Sequence, residues 1–267
     1  MLEDLVESIR QRNTILFAGS GLSAQLELPT WNKLIEQVAK ELQYDPSIFA
    51  TYGDSLQLAE YYTAKKGSIG GLRSWMDNDW HAKPLSHIQH SKAHEYLVKL
   101  DFPLIYTTNY DRWIERAYEY YDKDAIKIVD VFGMTQIKDG VTQIIKFHGD
   151  FDSDHSLVLT ESSYFERLDL EGPLDLKLRS DMLGKSILFI GYSLSDINIR
   201  YLLYKLQKIW ENSSLSNKKP KIYLFLLNPN PVLEAVYKQR GIEVIVSQSE
   251  ERQHALSDFL KELLERQ

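Results

Sequence analysis

Short runs rich in β-branched and aromatic residues alternate along the chain with longer stretches in which apolar residues recur at helical spacing. The runs Thr14–Ala18, Leu104–Thr107, Ile126–Asp130, Thr142–Phe147, Ser186–Ile190, Lys221–Leu227 and Glu243–Val246 predict strands. Most are nearly continuous in apolar character, as strands covered on both faces are. Such alternation builds a parallel sheet with helices on both faces, so the predicted fold class is α/β. About 85 residues separate the first two strands, too many for one crossover helix. Breaks at Tyr44–Pro46 and Gly67–Gly71 divide that stretch, and residues 44–98 are read as a small helical lobe within a single domain, 1–267. A long helix is predicted at Asp196–Trp210, an exposed loop at Glu211–Pro220 and a closing helix from Glu250 to Glu265.

Charge and composition narrow the function classes. With 31 basic against 38 acidic side chains and a net charge of −7, the chain lacks the basic footprint that phosphate backbones require, and direct nucleic-acid binding is not expected. Cysteine is absent, which excludes a disulfide scaffold, a cysteine-ligated zinc site, an iron–sulfur cluster and a cysteine nucleophile. The acidic N-terminal stretch does not read as a signal peptide, and no apolar run approaches the ~20 residues of a membrane helix. A cytoplasmic protein without a membrane segment is expected.

The chemistry sits at the ends of predicted strands. Gly19-Ser20-Gly21-Leu22-Ser23-Ala24 follows the first strand and satisfies G-x-G-x-x-[GA] in the context that gives this motif value, where glycines let a backbone approach a pyrophosphate. A tight strand-to-helix turn without a ligand would read the same way. No G-x-x-x-x-G-K-[ST] occurs, which disfavours a P-loop ATPase. The second strand ends in Thr107-Thr108-Asn109-Tyr110-Asp111; these residues either face the crevice beyond the sheet or cap the next helix. His148-Gly149 ends the fourth strand and offers a general base that titrates near neutral pH. Gly191-Tyr192-Ser193 follows the fifth, with Ser195 or Asp196 as helix cap, and Asn228 follows the sixth. Chance capping accounts for one or two of five such endings better than for all. His87, His90 and His94 recur at helical spacing, as metal ligands or as a packed or solvated face, and Tyr61, Tyr62, Trp75 and Trp80 are assigned to the lobe's core or interface.

The order Gly19-Ser-Gly21-Leu-Ser23, Thr108-Asn109-Tyr110-Asp111, Phe147-His148-Gly149, Gly191-Tyr-Ser193 and Asn228 resembles the sirtuin family, and most of all its bacterial sirtuin-like branch in antiphage defence. The similarity runs from about Asn13 to Val246. It implies a Rossmann-like parallel sheet with a smaller lobe and NAD in the crevice between them. By that resemblance Gly19, Ser20, Gly21 and Ser23 would hold the pyrophosphate, and Asn109 and Asp111 the nicotinamide ribose and carboxamide side. His148 would be the catalytic base, and Gly191, Ser193 and Asn228 would line the adenosine side. The implied reaction breaks the nicotinamide–ribose bond, with Asn109 positioning water or ribose hydroxyls.

Two departures refine this expectation. The four zinc-ribbon cysteines of deacylating sirtuins are missing, so no metal is expected. The family's Ala-Gly-Ile-Pro-Asp-Phe-Arg segment stands here as Leu26-Glu27-Leu28-Pro29-Thr30-Trp31-Asn32, without the Asp or the Arg. Both departures point to an NAD hydrolase that depletes NAD in defence. The alternatives are a protein deacylase or ADP-ribosyltransferase, a non-catalytic NAD or ADP-ribose sensor, and, least in keeping with the motifs, a dehydrogenase. The resemblance further implies control by self-assembly into a homo-oligomer, or by a partner such as a HerA-type ATPase or an Argonaute.

Overall fold

The computed structural model describes residues 1–267 apart from 153–155, 195, 213–218 and 250. The strands are β1 (Thr14–Ala18), β2 (Leu104–Thr107), β3 (Ala125–Ile128), β4 (Thr142–Lys146), β5 (Ser186–Ile190), β6 (Ile222–Leu226) and β7 (Ile242–Val246). They form one sheet in the order β3-β4-β2-β1-β5-β6-β7, parallel at every pairing. The predicted α/β class holds, and each strand lies where the apolar pattern put it, within two residues at either end. The predicted cap Ser195, part of the Glu211–Pro220 loop and the start of the predicted closing helix fall outside the described residues.

The helices are α1 (Leu2–Arg10), α2 (Ser20–Ser23), α3 (Trp31–Glu41), α4 (Pro46–Phe49), α5 (Ser55–Lys66), α6 (Gly70–Trp80), α7 (Lys92–Lys99), α8 (Trp113–Tyr120), α9 (Val131–Thr135), α10 (Glu161–Phe165), α11 (Pro173–Gly184), α12 (Ile197–Glu211), α13 (Pro231–Gln239) and α14 (Ala255–Glu265). Their ends reflect local chemistry. Asp54 and Gln57 close a capping box at the start of α5, and Gly67, with φ +79°, ends it in the left-handed conformation.

Strand alternation divides the sheet's side chains between two cores. Leu16, Ala18, Ile105, Ile144, Leu188 and Ile190 pack under α1, α7, α8 and α14. Ile15, Phe17, Tyr106, Ile145, Phe147, Ile187 and Phe189 pack against α11, α12 and α13 on the other face. A third cluster joins α3, α4, α5 and α6 through Leu34, Val38, Phe49, Leu58, Tyr62, Leu72, Met76 and Trp80. This lobe core begins at α3, earlier than residue 44. α7 is not part of it, because Ala93, Leu97 and Val98 face the sheet layer. The four aromatics assigned to the lobe belong to this cluster, Tyr62 and Trp80 buried and Tyr61 and Trp75 packed at its edge. No helix among the described residues is long and apolar enough to cross a membrane.

His94 of α7 is fully buried, its Nδ1 2.7 Å from Ser91 Oγ. Burial pushes this imidazole down to about 4, with Asp111 pulling weakly the other way. The unfolded chain therefore takes up the proton first, so stability is fully present above the unfolded value of ~6.5 and is lost as pH falls towards 4, by about 3 kcal/mol. Urea unfolding across that range should show the loss in the wild type and a slope shallower by about one proton in His94→Leu.

Candidate active site

β1 is the sheet's central strand, and the chain crosses from one side of it to the other between β4 and β5. Such a switch point opens a crevice beyond the carboxyl ends of the strands. A cavity of about 500 Å³ lies there, within the range of small-molecule sites. Ser20 and Ser23 reach it from β1, Thr108, Asn109 and Asp111 from β2, His148 from β4, and Gly191, Tyr192, Ser193 and Asp196 from β5. Leu28, Pro29, Trp31, Leu34, Leu56 and Trp80 close it from the helical lobe.

A connected set of buried hydrogen bonds orients the β1 and β2 groups. Thr107 Oγ1 donates to the Ala18 carbonyl at 2.9 Å and accepts from the Asn109 amide at 3.1 Å. Asn109 Nδ2 donates to the Gly19 carbonyl at 3.0 Å and to Ser23 Oγ at 2.8 Å. Ser23 Oγ in turn donates to Asp111 Oδ2 at 2.6 Å, while Asp111 Oδ1 accepts from the Trp113 amide at 3.1 Å. With both amide donors of Asn109 engaged, its oxygen is the atom left to accept. The N-cap of α8 is Arg112, without a side-chain cap bond; Asp111, one residue before it, accepts the first helical amide, and neither Thr108 nor Asn109 is the cap.

His148, 3% exposed, lies between two groups. Its Nδ1 is 3.4 Å from the Tyr164 hydroxyl, and its Nε2 is 3.1 Å from Asp196 Oδ2. The second pair is a buried imidazole–carboxylate contact at ion-pair distance. Burial lowers the His148 pKa below the ordinary histidine value, against the opposing pull of Asp196. Burial pushes Asp196 up, but His148 and the amides of Ile199 and Asn198 outweigh it and hold the carboxyl below its usual range. At neutral pH a neutral imidazole thus stands beside an ionised carboxylate.

The motif glycines have a packing reason of their own. Gly19 and Gly21 do not line the cavity; their amides donate to the carbonyls of Ile190 and Gly191, both at 2.9 Å. A Cβ on Gly19 would stand 2.4 Å from the Gly191 oxygen, and one on Gly21 2.6 Å from Gly191 Cα. The Gly19 and Gly21 amides thus join β1 to β5. Asn228 is exposed just beyond β6 and does not line the cavity. Seven of the ten predicted positions, Ser20, Ser23, Asn109, Asp111, His148, Gly191 and Ser193, do line it. Asp196, read from the sequence as a possible cap, does cap α12 through Oδ1; its approach to His148 is new, as is that of Tyr164. The His87 and His90 rings lie 5.1 Å apart, and no group of three metal-capable side chains occurs among the described residues.

The SIR2-like domain family model matches residues 103–245, more than half of the chain. The chain belongs to the SIR2-like domain family. NAD(+) hydrolase ThsA of Bacillus cereus (strain MSX-D12) is 29% identical over 213 residues, 79% of this chain and 43% of that protein. NAD(+) hydrolase ThsA of Enterococcus faecium is 30% identical over 206 residues, 76% of this chain and 42% of that protein. Defense-associated sirtuin 2 of Bacillus subtilis is 26% identical over 259 residues, 91% of this chain and 24% of that protein. The chain spans less than half the length of these curated relatives. The matched region of the SIR2-like family holds β2 to β7, and hence Asn109, His148 and Asp196; the β1 turn and most of the lobe wall precede it.

Two variants test this SIR2-like site. Gly191 has φ +57°, and a Cβ there would meet the Leu22 amide nitrogen at 2.6 Å, so Gly191→Ala should cost at least about 2 kcal/mol in urea unfolding. Asp196→Asn removes the charge that favours the imidazolium, so the His148 pKa should fall further in an NMR titration. An unmoved titration would mean that the 3.1 Å contact has no electrostatic weight.

Proposed function

We propose that this chain hydrolyses NAD at the nicotinamide–ribose bond, releasing nicotinamide and ADP-ribose, and that it depletes NAD in bacterial antiphage defence. The observation that carries the reading is the meeting of Asn109, Asp111 and His148 in one cavity at the switch point of the sheet. The names of the ThsA and defence-associated relatives support it.

Each residue then has a task that its surroundings suit. The Asn109 oxygen, fixed by two donor contacts, accepts from the attacking water or from a ribose hydroxyl. Neutral His148 takes up the proton that water or hydroxyl gives up. The Asp111 and Asp196 side chains bring negative charge to the wall, the sign that favours the positive charge developing on the ribose as nicotinamide leaves. Ser20, Ser23, Gly191 and Ser193 surround the remainder of the dinucleotide. The lobe wall of Leu28, Trp31 and Trp80 limits the entry of bulk water.

Incubation of the purified chain with NAD, with nicotinamide and ADP-ribose followed by chromatography, tests the assignment. Asn109→Ala and His148→Ala should each lower kcat by at least about 100-fold. Asn109→Ala also strips partners from the Gly19 carbonyl and Ser23, costing about 1–3 kcal/mol, so turnover is measured well below its Tm. Because His148 must be neutral and its pKa is lowered, kcat/KM should hold as pH drops to about 6.5 and decline only below it. Wild-type rates in both variants would overturn the mechanism. NAD bound without release would make the site a sensor.

A further inference from the structure

We propose that His81, just past the carboxyl end of α6, is a positioning residue: it holds the segment carrying Asn109 and Asp111 in its working place by accepting the backbone amide of Arg112. The inference rests on the NAD-cleaving reading for its consequence, and on hydrogen-bond geometry for its substance.

The His81 side chain is 5% exposed. Its Nε2 accepts the Arg112 N–H at 2.9 Å, so this nitrogen carries no proton. Its Nδ1 stands 2.8 Å from Asp77 Oδ1 and 3.0 Å from the Asp77 carbonyl, both acceptors, so this nitrogen must carry one. A neutral imidazole in the Nδ1–H form alone satisfies both sides. Burial lowers its pKa, opposed by Asp77 and Asp111 and aided by Arg116 and Arg112. The ring packs edge-on to Phe151 at 5.8 Å and lies tilted against Trp113 at 6.4 Å, which leaves the imidazole little freedom to turn.

Residues 112 and 113 link this bond to the cavity. Trp113 donates its indole N–H to the Trp80 carbonyl at 3.0 Å and its amide to Asp111 Oδ1 at 3.1 Å. Asp111 accepts from Ser23, and Ser23 accepts from Asn109. An unbroken path therefore runs from the end of α6 through the backbone of residues 112–113 to Asp111, Ser23 and Asn109. The Arg112 guanidinium adds contacts to Asp77 at 3.1 Å and Asp152 at 2.9 Å. The guanidinium forks onto both Asp77 oxygens and lies 3.6 Å from buried Asp150; these contacts anchor the side chain of Arg112, whereas the His81 bond holds its backbone. The buried, directional His81 bond sets the position of the segment; a displacement of about 1 Å at reacting groups can cost about 100-fold in rate.

Three variants separate positioning from general stability. In His81→Gln, Oε1 can take the place of Nε2 and still accept from Arg112. In His81→Asn the donor towards Asp77 remains but the side chain does not reach Arg112, and His81→Phe removes both. The expected result is kcat within about threefold of wild type for His81→Gln and lower by about 10- to 100-fold for the other two, with KM for NAD nearly unchanged. Amide exchange at Arg112 should be at least about tenfold faster in His81→Asn than in wild type, and imidazole ¹⁵N shifts of the wild type should show the Nδ1–H tautomer. These two readouts need no turnover. If the wild type fails to cleave NAD yet shows this tautomer and exchange pattern, the proposed function fails and the role of His81 stands. An Nε2–H tautomer, unchanged Arg112 exchange, or wild-type kcat in His81→Asn overturns the inference.

Discussion

At the switch point two backbones meet without side chains between them. Gly19 and Gly21, leaving β1, lie against Gly191, leaving β5, at a separation no Cβ would tolerate. That contact brings the ends of two neighbouring strands close enough to share amide hydrogen bonds. It sets the position of Ser20 and Ser23 on one side of the crevice and of Tyr192, Ser193 and Asp196 on the other. A glycine motif that would suit a nucleotide on sequence grounds acts here first as a joint between strands.

Above the joint, the polar groups form a hydrogen-bonded set and a buried imidazole–carboxylate pair. Thr107, Asn109, Ser23 and Asp111 pair with one another and with backbone carbonyls, so each is held in one orientation before any ligand arrives. The His148 and Asp196 atoms that approach each other at 3.1 Å are buried, so each biases the charge of the other. A preorganised acceptor on one side and a buried imidazole–carboxylate pair on the other give the cavity wall a fixed geometry.

Much of this is legible in the sequence because strand ends are local. An apolar run followed by glycine or by a polar cluster places a residue at the carboxyl edge, and β1, β2 and β5 lie at their predicted bounds. What local pattern does not carry is distance across the sheet. Asn228 comes after β6 just as Asn109 comes after β2, yet Asn228 is exposed and lies outside the cavity wall. His148 and Asp196 belong to different strand ends, and their approach depends on β4 and β5 flanking the pair β2 and β1. Sequence pattern starts the lobe too late in the chain because the apolar face of α3 reads alike whichever core it enters.

The lobe's core explains why sheet and lobe form one site. Its apolar cluster takes in Tyr110, Phe151, Leu157 and Leu159, which lie beyond the ends of β2 and β4, along with the helices α3 to α6. Tyr110 is further tied by its hydroxyl to the Val158 carbonyl at 2.7 Å. The residues on either side of Tyr110 are Asn109 and Asp111, so the strand end that presents polar groups to the cavity also contributes a side chain to the core of the lobe. Loss of packing between α3 and α6 would loosen the segment that carries the candidate catalytic amide, with no change to any residue that touches the cavity's polar wall.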